Sequence, residues 1–198
     1  MRFRAGIPVV AIAVILLATG CGGEATAARP ADPSAVESSS TSARTTTGIH
    51  VSRVRSYGSL RALAGDSSEV VEVVAGTATE EFVNTVPFTI TEVKVTRSFR
   101  GEARAGDVLK VRQTGTVAVR SEDLPPVMTA GDTYLLFLTP FTNPDPTGEM
   151  TIVGLAGIFE FDGGKAIRLD PSSVELPSGI SVDDFESQVR SALDAPSD

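Results

Sequence analysis

The sequence predicts an all-β domain: a small closed barrel of five to seven short strands with short flanking helices. Three observations carry that expectation. Between Glu69 and Leu169 the apolar residues come in short runs rich in Val, Ile, Leu and Phe, the composition and length of strands. The runs are separated by turn-forming residues, most plainly Asp162-Gly163-Gly164-Lys165, where glycine accepts the positive φ of a two-residue hairpin. Helical periodicity is confined to the two ends, and with no long internal helix a closed barrel fits better than a parallel α/β sheet. No internal repeat is present.

Taken in order, Ser59 to Ala64 predicts a short helix with Leu60 and Leu63 on one face. Glu69 to Ala78 is Val-rich and predicts the first strand. Phe88 to Phe99 predicts the second. Within it Phe88 and Ile90 share even parity while Val93 and Val95 share odd parity, so a strict two-residue period sends the pairs to opposite faces. A β-bulge near Thr91-Glu92 would return both to the core and is expected there. Val108 to Gln113 predicts Leu109 and Val111 inward, with Lys110 and Arg112 outward. Thr133 to Leu138 contains Tyr-Leu-Leu-Phe-Leu, apolar on both parities, and predicts a central strand. Met150 to Val153, then Gly157 to Phe161, continue the sheet, and Ile167 and Leu169 sit on the return strand of the final hairpin. Ser181 followed by Asp183, Asp184 and Glu186 predicts an N-capped helix. It runs to about Leu193 and buries Val182, Phe185, Val189 and Leu193.

The stretch Val70–Thr77, the strand end Ser98-Phe99-Arg100-Gly101, the Gly106-Asp107 turn and the run Gly131–Leu138 resemble secreted actinobacterial proteins of uncharacterised function. More distantly they are similar to netrin-like and TIMP-like modules. The resemblance covers about Val70 to Leu169 and implies an OB-like β-barrel. Netrin-like inhibitors use an N-terminal cysteine and several disulfides. Those cysteines are missing here, so protease inhibition is not implied.

The N-terminus predicts export. Arg2 and Arg4 precede an almost wholly apolar run from Ile7 to Leu17. That run suits the apolar region of a signal peptide and falls short of the ~20 residues a membrane span needs. Leu17-Ala18-Thr19-Gly20-Cys21 resembles the lipobox of bacterial lipoproteins, with Ala18 where the family pattern prefers Leu. The resemblance implies cleavage after residue 20 and lipidation of Cys21. Two or three acyl chains there would hold the protein to a bilayer. Cys21 is the single cysteine of the chain, so no intramolecular disulfide is possible, and lipidation removes the liability of a free thiol in an oxidising compartment. The expected organisation is a signal peptide (1–20), a lipidated disordered tether (21–50) and a single barrel domain with a C-terminal helix (51–198). Between Gly22 and His50, 18 of 29 residues are Ala, Ser, Thr or Pro, too little apolar surface to offset the entropy of ordering. As a flexible coil such a tether spans about 30 Å. The expected location is extracytoplasmic, with the cell membrane as a partner through the lipid.

Composition excludes several classes of function. With 17 basic residues less Arg2 and Arg4, the exported chain has 15 against 25 acidic ones, a net charge of −10. Nucleic-acid binding needs a basic footprint and is not expected. The excess of Arg over Lys, 14 to 3, suits a high-GC genome. His50, the one histidine, lies in the tether, so Ser-His-Asp and Cys-His catalysis and His/Cys zinc sites are excluded from the domain. No phosphate-cradling glycine motif occurs. Glu80-Glu81 and Glu122-Asp123 are sequence neighbours, which on a strand point opposite ways, so no catalytic residue is assigned. Asn143 to Glu149 partly echoes a calcium loop, but Gly154 stands where a bidentate Glu is needed, and two prolines describe a turn more plainly. No cofactor or metal is expected.

One local feature departs from the acidic background. Val93 to Arg120 carries Lys94, Arg97, Arg100, Arg104, Lys110, Arg112 and Arg120 against Glu102 and Asp107. Arg100, Arg104, Lys110 and Arg112 are therefore candidate anion-binding residues, for lipid headgroups, cell-wall polymer or an acidic envelope protein. The alternative is a solvated sheet face balanced by carboxylates elsewhere. The leading expectation is a non-enzymatic binding or interaction module at the cell envelope. A carrier of a small or lipidic ligand comes second, opposed by Phe88, Phe137, Phe159 and Phe161, which suggest a filled core. A carboxylate-based hydrolase comes third.

Overall fold

The computed structural model describes residues 55–119, 124–142, 145–170, 174, 176–177 and 179–195. The chain divides into Met1–Ala43 and Arg44–Asp198, and every described residue lies in the second unit. Helix α1 (Leu60–Gly65) starts where Ser59 Oγ accepts the Ala62 N–H at 3.2 Å, a side-chain cap that satisfies one orphan donor of the first turn. The strands are β1 (Glu69–Val83), β2 (Val86–Arg100), β3 (Val108–Thr114), β4 (Thr133–Pro140), β5 (Met150–Ile152), β6 (Ile158–Asp162) and β7 (Lys165–Arg168). Helix α2 (Val182–Asp194) closes the fold, capped by Ser181 Oγ on the Asp184 N–H at 3.1 Å. Its start is where the Ser-x-Asp-Asp pattern places it.

The first five strands close a ring, β1-β2-β3-β5-β4 and back to β1, antiparallel except for β3–β5. The β6–β7 hairpin continues along the edge of β4 beyond β5. The result is the expected all-β, OB-like barrel. Gly163 and Gly164, at φ 56° and 76°, make the tight turn between the paired Asp162 and Lys165. β4 is buried on both faces, as its unbroken apolar run requires. Tyr134, Leu136 and Leu138 point into the barrel with Val71, Val73, Ala75, Val93, Val111 and Ile158. Leu135 and Phe137 point out of it, into a second apolar layer with Val70, Phe159, Phe185 and Val189.

That second layer relocates the aromatic residues. Phe137 and Phe159 lie outside the barrel beneath α1 and α2, with Phe161 at their margin. Phe159 stacks 4.7 Å from the Phe185 ring of α2 and 6.0 Å from Phe137. The barrel interior is filled instead mainly by branched aliphatics, with Tyr134 and Met128 beside them. α2 also carries Glu186, buried against the sheet, where it pairs with Arg97 and with Arg190, the latter at 3.1 Å. Both guanidinium groups lie over the Phe99 ring, at 5.9 and 5.1 Å.

The expected bulge at Thr91-Glu92 is absent. The β2–β3 register runs without a break from Phe88↔Thr114 to Lys94↔Val108. The extra residue belongs to β1 instead, where Ala75↔Val93 gives way to Ala78↔Thr91. Gly76 sits at this bulge, and a Cβ there would lie 2.8 Å from the Glu92 carbonyl oxygen, so the close approach of the strands excludes larger residues. From Phe88 to Val95 β2 therefore keeps a two-residue period, and its own register shifts against β1 come only later, near Thr96 and Phe99. Thr89, Thr91, Val93 and Val95 are buried on one face, and Phe88 and Ile90 occupy the other.

Candidate functional site

The expected anion-binding cations do not form one patch. Arg100 ends β2 and donates to the Ala64 carbonyl of α1 at 2.6 Å. Arg104 donates to the Gly101 and Ala103 carbonyls within its own turn, each at 3.1 Å. Lys110 is exposed and pairs across the ladder with Glu92. Arg100 lies eight positions along β2 from Glu92, roughly 26 Å of extended chain. Arg120 lies outside the described residues, as does Cys21, the expected lipidation site.

Arg112 departs furthest from expectation. It is on the outer face of β3, as parity requires, yet its side chain is only 6% exposed. Three neighbouring segments cover it. Glu81 of β1 accepts from one terminal nitrogen at 2.6 Å, and Glu149, just before β5, accepts from Nε at 2.6 Å. Phe88 of β2 and Phe141, which follows β4, lie with their ring centres 5.1 and 4.8 Å from the guanidinium carbon. Burial works against the cation, but hydrogen bonds to Glu149 and then Glu81 outweigh it and hold the guanidinium above its ordinary range. A planar, always-charged fork suits this place, where two carboxylates and two rings must share one cation. Outward parity was legible in the sequence; the cover came from residues 31 and 37 positions away.

Above this buried ion pair lies an open apolar groove of about 400 Å³, lined by Glu81, Val83, Asn84, Val86, Phe88, Arg112, Phe141 and Thr147. It is bounded by the β1–β2 hairpin. Its turn, Asn84-Thr85, has φ of 48° and 71°, the left-handed pair a tight hairpin needs and a β-branched residue resists. The sequence signal was weak because Asn-Thr replaces the usual Asn-Gly. At the tip Phe82 is 65% exposed and Val83 42%. Adjacent large apolar residues in water beside an apolar groove mark a contact surface more strongly than scattered ones. Glu80 and Glu81 do point opposite ways: Glu81 reaches Arg112, while Glu80 is exposed beside Phe82.

Two further carboxylates are shifted in acidity by their neighbours. Asp66 accepts from the Tyr57 hydroxyl at 2.6 Å and from Arg55. The Tyr57 bond, with Arg55, holds its carboxyl below the usual range. Glu160 on β6 is pushed the other way, first by burial and then by Asp132 and Asp162. An acid whose folded value is raised binds its proton more tightly when folded, so this contribution to stability is lost as pH rises through the folded value. Glu160→Gln should therefore stabilise the protein at neutral pH, by no more than about 0.5 kcal/mol. Urea denaturation should show the gain vanishing near pH ~3, where the glutamate is protonated in both states. A loss of stability at neutral pH would contradict the assignment.

Among the described residues no three His, Cys, Asp or Glu side chains are grouped to hold a metal ion, and no helix is long and apolar enough to cross a membrane. Comparison with protein-family models and with curated proteins finds no significant match.

Proposed function

We propose that the chain is a lipid-anchored envelope lipoprotein whose barrel is a non-enzymatic binding module, presenting the β1–β2 hairpin and its groove to a partner. The anchoring half rests on the Leu17–Cys21 motif and the single cysteine. The binding half rests on one observation, the exposed apolar tip Phe82-Val83 beside the groove over Arg112. Carriage of a ligand inside the barrel has less support, since the lumen is occupied by Val71, Val73, Val93, Val111, Leu136 and Ile158, each 0% exposed. Hydrolysis by paired carboxylates has less again, since Glu81 and Glu149 are both engaged by Arg112.

A photoreactive side chain placed at Val83 should give discrete adducts in intact envelopes. The same probe at Ile167, which is 41% exposed on β7, should give none of them. Identical adducts at both positions, or none at Val83, would overturn the binding assignment.

A further inference from the structure

The β1–β2 hairpin closes with Val83 facing Val86 across a two-residue turn. In such a hairpin the closing pair exchanges both hydrogen bonds, and bonded and non-bonded pairs then alternate down the ladder. Val83, Glu81 and Thr79 therefore bond to β2, while Phe82, Glu80 and Ala78 turn their N–H and C=O groups away from it. Pro87, which has no N–H, sits opposite Phe82 at a non-bonded position, and its carbonyl accepts from Gly115 on the far side. β4 covers that edge of β1 only from Glu69 to Val74, and the Gly131–Asp132 segment covers Ala75. The Gly76 bulge then shifts the alternation, and from Ala78 to Phe82 no described strand pairs with the edge. Behind it β2 pairs with β3 without a break from Phe88 to Lys94, so the open edge is backed by two paired strands.

We propose that this edge, Ala78 to Phe82, accepts an extended segment of a partner protein as an added strand, with a basic side chain beside Glu80 and an apolar one beside Phe82. The proposal names the partner chemistry of the binding module and rests on that reading. Strand addition takes its affinity from main-chain hydrogen bonds and its specificity from alternate side chains. Glu80 and Phe82 share a face and are both exposed. From Thr77 to Val83 there are two acidic residues and no basic one, and Glu81 is already engaged by Arg112. The charge left to be met is that of Glu80. A second copy of this chain does not meet it: the antiparallel register that uses all three outward residues sets Glu80 against Glu80, and like charges directly opposite destabilise a pair. The same carboxylate thus guards the edge against self-pairing.

The test uses the full chain carrying Cys21→Ala and two capped heptapeptides, Thr-Val-Thr-Lys-Thr-Val-Thr and its variant with glutamate at the centre, so that the charged residue meets Glu80 while valines on the same face meet Ala78 and Phe82. Amide exchange is followed by NMR. At saturation the lysine peptide should slow exchange at Ala78, Glu80 and Phe82 by about tenfold or more, with little change at Thr79, Glu81 and Val83. Glu80→Gln should weaken the lysine peptide by about threefold to fivefold, and Glu80→Lys should transfer the preference to the glutamate peptide. No protection at the three outward amides would overturn the proposal, as would equal protection by both peptides. Protection that grows with protein concentration alone would assign the edge to a second copy. Protection of Phe82 by phosphatidylcholine vesicles but not by peptide would assign it to lipid. If the Val83 adducts form while the peptides fail, strand addition falls and the binding module stands.

Discussion

Arg112→Met should cost the folded state about 3 kcal/mol, the largest stability loss expected of any cation in the barrel. Methionine keeps an unbranched stem between Phe88 and Phe141 but removes the charge that Glu81 and Glu149 share. The carboxylate of Glu149, 13% exposed, is then held out of water with no cation. Arg112→Lys keeps the charge but cannot serve two carboxylates from a planar fork, so its loss should be about 1–2 kcal/mol. Arg112→Met combined with Glu81→Gln and Glu149→Gln should recover most of the difference, because the penalty lies in the unpaired charges rather than in the missing pair. Denaturant titration of the four proteins measures this. An exposed arginine would lose no more than about 0.5 kcal/mol, and a value that small for Arg112→Met would return the residue to the solvent. Replacement by glutamate, harmless on an exposed face, should be the most damaging change, since it gathers three carboxylates between two rings.

Cys21→Ala should abolish acyl labelling and prevent normal lipoprotein maturation, with a changed membrane partition. The sulfur is the only atom in the sequence able to carry a thioether-linked diacylglycerol. Each buried methylene contributes about 0.8 kcal/mol, so two chains turn a marginal, reversible contact into stable anchoring, and loss of both leaves nothing comparable. Cys21→Ser is the stricter comparison, because it changes one atom and preserves the small side chain. Metabolic labelling with a fatty-acid analogue, followed by membrane fractionation, gives the answer. Labelling and partition unchanged in both variants would sink the anchoring half of the proposed function.

Much of the fold was legible because its signals are local. Ser59 and Ser181 each mark a helix start with a side chain that bonds a backbone N–H three residues on, and Gly163-Gly164 supplies positive φ to the turn that carries it. The two-faced run Tyr134–Leu138 required a strand covered on both sides, and it lies between the barrel lumen and the helix layer. What the sequence by itself determined were thus element identity, order and parity, each set by backbone sterics within a few residues. Only the tertiary structure decided where the faces lead. Placement of the bulge on β1 depends on how closely Gly76 approaches Glu92, residues on different strands. Whether Arg112 meets water depends on Glu81, Phe141 and Glu149 converging from β1 and the β4–β5 connection. Parity tells a side chain which way to point; burial there is set by what other segments bring to that side, and desolvation of a charge is a property of the whole enclosure. The open edge at Ala78 to Phe82 has the same origin, since it exists because β4 ends its pairing at Val74 and no described strand takes its place.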